Sequence, residues 1–126
     1  MRSPDPNLAR DLAFESERKY VSLEEYRRVI GIKDANANDF IESCYDILLF
    51  AIRAHLCARG YSTRGVGSHE AEVSFARELG IGEGDVRFLD ALRGYRNRIL
   101  YSGSRFDAKY ADKVYRFMER LRGLLG

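Results

Sequence analysis

NANDFIESCYDILLFAIRAHLCARG, residues 36–60, decides the fold. Either Asn36 or Asn38 can accept hydrogen bonds from the first free amides of a helix, and Gly60 can adopt the left-handed turn that ends one. Between them, Ile41, Cys44, Tyr45, Leu48 and Ile52 repeat at helical spacing, while Phe40, Ile47, Phe50, Ala51 and Ala54 widen the apolar surface to a second side. Only Asp39, Glu42, Asp46 and Arg53 form a polar line. A helix with so narrow a polar line belongs in the middle of a bundle, touching several neighbours.

Working outward, Asp5-Pro6 reads as a cap followed by a first-turn proline and opens a helix towards Tyr20. Ser22-Leu23-Glu24-Glu25 reads as a capping box that starts a separate short helix ending at Gly31. C-terminal to the central segment, Gly60–Gly67 is an extended connection. Ser68 can then cap a short helix carrying Ala71, Phe75, Ala76 and Leu79 before Gly80. A glycine-rich loop invites a phosphate-binding reading, but no Gly-Lys-Ser/Thr follows and no strand precedes it, so a plain connector is the simpler account. From Glu83 to Tyr101, Phe88, Leu89, Leu92, Tyr95 and Ile99 share one face, and Ser102-Gly103 ends the helix. Asp107 can cap a last helix with a stripe of Ala111, Val114, Met118, Leu121 and Leu125. The expectation is one all-α domain over residues 1–126, an up-and-down antiparallel bundle of five to six helices.

Composition bounds the function. With 126 residues the chain supports one core, and a net charge of +2 argues for no particular partner. Arg far outnumbers Lys, which suits phosphate recognition and is equally accounted for by compositional bias. No stretch approaches the roughly 20 apolar residues of a membrane span, and the first residues lack a signal-peptide core, so a cytoplasmic protein without membrane contact is expected. Cys44 and Cys57 lie 13 residues apart on one helix, roughly 20 Å, too far to bridge within the chain. The two cysteines and two histidines have no metal-ligand spacing, and neither metal nor cofactor is expected. His55 falls on the broad apolar side as a core or interface residue; His69 follows the Ser68 cap and has no assigned mechanism.

One residue is discordant. Arg96 falls inside the apolar stripe of its helix, one turn after Leu92 and one turn before Ile99 and Leu100. A guanidinium keeps its proton, so burying it costs several kcal/mol unless an anion or a wet cleft meets it. A structural ion pair with Asp46 or Glu42 would meet that need, as would a stem that packs while the head reaches water.

Arg96-Asn97-Arg98-Ile99-Leu100-Tyr101 resembles the Arg-Asn motif of HEPN domains (higher eukaryotes and prokaryotes nucleotide-binding), in which Arg is followed after four to six residues by His. The likeness extends over roughly Asn38 to Leu125, including the long helix, the loop with Ser68-His69 and the helix with Phe75. It implies a helical bundle that pairs two-fold with the motif helices facing across a cleft. It also implies a nucleotide or RNA ligand, and a minimal nucleotidyltransferase as partner in a toxin–antitoxin-type system. Carried onto this chain, the resemblance places Arg96, Asn97 and Tyr101 at the catalytic position; as a binding module the chain would hold a phosphate or nucleotide at Arg96, with the neighbouring cations Arg93 and Arg98 assisting. Geometry adds that residues five apart lie about 140° apart around a helix, so Arg96 and Tyr101 converge only if a second copy supplies one of them.

The departure from the family is Tyr101, where its ribonucleases have His. A phenol of pKa about 10 is a poor general base at neutral pH, and losing imidazole removes a contribution of about 10² to 10⁴-fold. Three functions therefore stay open: a dimeric nucleotide- or RNA-binding module, a metal-independent endoribonuclease in which Tyr101 replaces His, and a non-catalytic structural domain.

Overall fold

The computed structural model describes residues 4–61 and 76–126. All regular elements among them are helical: α1 (Pro6–Val29), α2 (Ala37–Ala58), α3 (Glu83–Ser102) and α4 (Ala108–Leu125), with 3-10 turns at Asp34–Asn36 and Ala76–Leu79. The helical bundle is as expected, but five to six helices are not found. Two expected helices are one, because α1 runs through Ser22 without a break. The capping box is overridden by packing on both sides of it. The Tyr20 hydroxyl donates to Glu119 of α4 at 3.1 Å, and Leu23 is buried in the core. The expected helix after Ser68 is described only at Ala76–Leu79, where it is a 3-10 turn. The 62–67 part of the loop, His69 and Phe75 lie outside the described residues.

Local chemistry sets the ends. The Asp5 carboxylate accepts from the Leu8 amide at 3.1 Å, with Pro6 in the first turn. The Asp107 carboxylate accepts from the Tyr110 amide at 2.8 Å. Gly31, Gly60, Gly80 and Gly103 follow helices or turns with positive φ. Asn36 stands at the N-cap of α2 as expected, but neither asparagine side chain makes the cap hydrogen bond. Asn36 turns backwards, accepting from the Lys33 amide at 2.8 Å and donating to Gly31 O at 3.0 Å. Asn38 reaches the connection between α3 and α4, donating to Ser104 O at 2.8 Å and accepting from the Phe106 amide at 3.0 Å. It thereby ties the start of α2 to the end of α3.

α2 is the hub: each other helix packs on it more closely than on its remaining neighbours. Phe40, Ile41, Ile47, Leu48, Ile52 and Leu56 are essentially solvent-free, meeting Leu89 and Leu92 from α3 and Val114, Met118 and Leu121 from α4. Each such side chain contributes about 1.5–3 kcal/mol on burial. Cys44 and Cys57 are buried free thiols, and burial pushes the Cys44 thiol well above its ordinary range. The outer helices are tied at their surfaces by Arg120–Asp85 at 2.8 Å and by the Arg122–Glu17 pair, and from the core outwards by the buried Tyr115, whose hydroxyl donates to Glu24. Among the described residues no helix is long and apolar enough to cross a membrane.

Candidate functional site

α3 carries a line of residues at alternating three- and four-residue steps: Val86, Leu89, Arg93, Arg96 and Leu100. Its beginning is covered, with Val86 and Leu89 in the core, and its end is bare, with Leu100 61% exposed. Arg96 stands where the covered part gives way to the open part.

The Arg96 side chain is 30% exposed, and its Nη2 lies 3.4 Å from Asp46 Oδ1 on α2. That distance makes an ion pair but is long for a charge-assisted hydrogen bond of about 2.7–2.9 Å. The guanidinium carbon lies 5.8 Å from the centre of the Tyr45 ring, within cation–π range. Arg96 Nε is buried without an acceptor. Glu42, one turn before Asp46, has its pKa raised, first by burial and then by the neighbouring charges of Asp39 and Asp46, against the opposing pull of Arg96. Arg96 therefore looks onto the polar line of α2. Within one chain its immediate neighbours are carboxylates, so a phosphate brought there must displace Asp46 or be held by further cations.

The remaining expected site residues spread around the helix. Arg93 holds Asp90 at 3.0 Å. Asn97 and Tyr101 sit one turn apart on the exposed side, Tyr101 at 81% exposure. Arg98, two positions along the helix from Arg96, lies about 200° around it. It packs instead over the Tyr95 ring at 4.7 Å, beside Phe106 and Tyr110. Arg93, Asn97, Leu100 and Tyr101 thus form one open surface, flanked by Arg96 towards α2 and by Arg98 towards α4. Arg96 and Tyr101 do not converge within a single chain.

His55 is half-buried and lines a cavity of about 290 Å³ between α1, α2 and the end of α4, with Ser16, Glu17 and Arg122. Among the described residues no group of His, Cys, Asp and Glu is arranged to hold a metal ion. Sequence reasoning missed two polar residues opposite the Arg96 partner, Ser22 and Ser43, which line a groove with Asp46. Their only signal was being small and hydroxylated; that they face each other depends on how two helices align. Comparison with protein-family models, curated proteins and solved structures found no match to this chain.

Proposed function

We propose that this chain is a cytoplasmic, HEPN-like module that binds a nucleotide or RNA as a homodimer, with a minimal nucleotidyltransferase as its partner in a toxin–antitoxin-type pair. One observation carries the reading. The α3 line that is buried at Val86 and Leu89 emerges uncovered at Leu100, beside Arg93, Arg96 and Tyr101. An apolar residue continuing a covered stripe and flanked by an amphipathic phenol suits a protein interface, and an isologous one places a second Arg96 near the first. The second copy brings its own Asp46 as well, so a phosphate is held there by displacing Asp46 from the guanidiniums, which the 3.4 Å separation of that pair leaves open to exchange.

The test pairs light scattering with binding of a fluorescent single-stranded RNA, for the parent chain and for Arg96→Ala. A dimer whose RNA affinity falls in the variant, with thermal unfolding intact, supports the proposal. Unchanged affinity in a folded Arg96→Ala rejects it.

A structural role is the second reading, favoured by the Arg96–Asp46 ion pair. It expects these two residues to couple in stability while RNA binding does not respond to either substitution.

A further inference from the structure

The outer face of the seam between α3 and α4 is a row of aromatic rings with cations laid over them. Tyr95, Phe106 and Tyr110 pack together with centroids 5.2 to 5.6 Å apart, and Phe88 meets Phe117 edge-on at 4.6 Å. The Arg98 guanidinium lies 4.7 Å from the centre of Tyr95, and Lys113 Nζ lies 5.4 Å and 5.6 Å from those of Phe88 and Tyr110. Beside this row, Lys109, Lys113, Arg116 and Arg120 follow one another along α4 at three- and four-residue steps, all of them exposed. From Lys109 to Arg120 the helix rises about 16 Å. Two shallow depressions of about 530 and 380 Å³ succeed each other along that length, and Lys113 and Arg116 border both.

These cations are not neutralised as others are. Arg18, Arg77 and Arg93 each hold a carboxylate, whereas Arg98, Lys109 and Lys113 hold none among the described residues. A ring fixes a cation's position without cancelling its charge. Two carboxylates border the first depression, and both are engaged within the chain: Asp107 caps α4 at the Tyr110 amide, and Asp112 holds Arg116 at 2.9 Å. The Arg116 and Asp112 side chains are 77% and 44% exposed, so their pair is weak and open to exchange. The imbalance is regional. From Glu83 to Gly126 ten Lys and Arg stand against six Asp and Glu, and before Glu83 eleven stand against thirteen. A small overall charge thus conceals a basic C-terminal third, an asymmetry that suits a polyanion.

The surroundings select the kind of polyanion. A protein interface has an apolar centre from which charged residues are depleted, but the only large exposed apolar side chain of α4 is Leu124, at its far end. A membrane-surface helix turns its apolar side outward, whereas α4 turns Val114, Met118 and Leu121 into the core. What remains is a line of fixed cations along an open trough, which an extended chain of evenly spaced anions follows. We propose that the α4 face, from Lys109 through Lys113 to Arg116 with Arg98 beside it, binds the sugar–phosphate backbone of a nucleic-acid strand without reading its sequence. Arg98 and Arg96 lie about 200° apart around α3, so this face requires neither Arg96 nor a second copy of the chain.

The test is fluorescence anisotropy of labelled oligouridine, oligothymidine and a mixed-sequence RNA of equal length, titrated with the full chain at several salt concentrations. Affinity is expected to fall steeply with salt and to vary little with base composition. Lys109→Ala combined with Lys113→Ala removes two phosphate contacts. It is expected to weaken binding of all three strands alike and to make the slope of log K against log salt shallower by about 1.4, at about 0.7 per contact on a single strand. Arg10→Ala combined with Arg28→Ala takes the same charge from exposed positions on α1 and should leave that slope unchanged. Thermal unfolding should be preserved in both, since every replaced side chain is exposed. A preference between the uridine and thymidine strands identifies RNA or DNA as the source, and equal binding the backbone common to both. Arg96→Ala separates this inference from the dimer-cleft reading: the lysine effect should persist in it whether or not RNA affinity falls. An unchanged slope in the lysine variant, an equal loss in the α1 variant, or displacement of the strand by polyglutamate as readily as by unlabelled strand of equal charge would overturn the assignment.

Discussion

Asp46 stands between two cationic walls: its carboxylate is 3.4 Å from Arg96 of α3 and lines the groove that Arg18 and Lys19 enter from α1. Arg96 and Asp46 are both about 30% exposed on their side chains, so water screens their attraction. A double-mutant cycle of Arg96→Ala and Asp46→Ala, read by chemical denaturation, is expected to give a coupling of about 0.5–1 kcal/mol. A coupling of several kcal/mol would mean that the pair is a buried structural bond and would favour the structural reading.

Glu42 gives a pH signature of known sign. Burial raises its folded-state pKa, so the fold favours the protonated carboxyl. That contribution is full below the unfolded value and fades as pH rises through the raised folded value, leaving ionised Glu42 as a burden at neutral pH. Glu42→Gln is therefore expected to raise the melting temperature at neutral pH, and the gain should vanish in acid where Glu42 is protonated in both states. Thermal melts of both proteins across that range check it; a gain that persists undiminished in acid contradicts the assignment.

Tyr101, at 81% exposure, makes little intramolecular packing. Tyr101→Ala should change stability by no more than about 0.5 kcal/mol. Under the dimer proposal the same substitution should weaken self-association, measured by sedimentation across a concentration series. Identical association in the two proteins removes Tyr101 from the interface.

Gly103 ends α3 with φ of 66°, and its amide donates to Ile99 O at 3.2 Å. No neighbouring atom would touch an added Cβ, so an alanine there meets backbone strain alone. Gly103→Ala is expected to cost about 1–2 kcal/mol in denaturant unfolding. No measurable loss would mean the connection to α4 relaxes freely despite its tie to Asn38.

The features that sequence made legible are those governed by neighbouring residues. Asp5-Pro6, Asp107 and Gly103 act where they are written, because a cap or a left-handed turn needs only its own segment. Arg96 was legible as a cation needing a partner, and Asp46 was one of two carboxylates that could meet it. Ser22 misled because a capping box describes what a chain can do locally, while Tyr20 and Leu23 decide the outcome through contacts on other helices. The Ser22–Ser43 groove was beyond reach for the same reason: shifting α1 by one turn along α2 would abolish it with no change to either segment's own pattern. The separation of Arg98 from Arg96 is the converse case, since helical spacing alone places them on different sides.

The central position of α2 has a kinetic corollary. Its amides lie beneath α1, α3 and α4, so isotope exchange there needs the whole assembly to open. α1 lies on the outside of the bundle and buries only Ala9, Ser16 and Leu23, so most of its amides exchange through local opening while the rest of the molecule stays closed. Protons along α1 should therefore be replaced by deuterium sooner than those of α2.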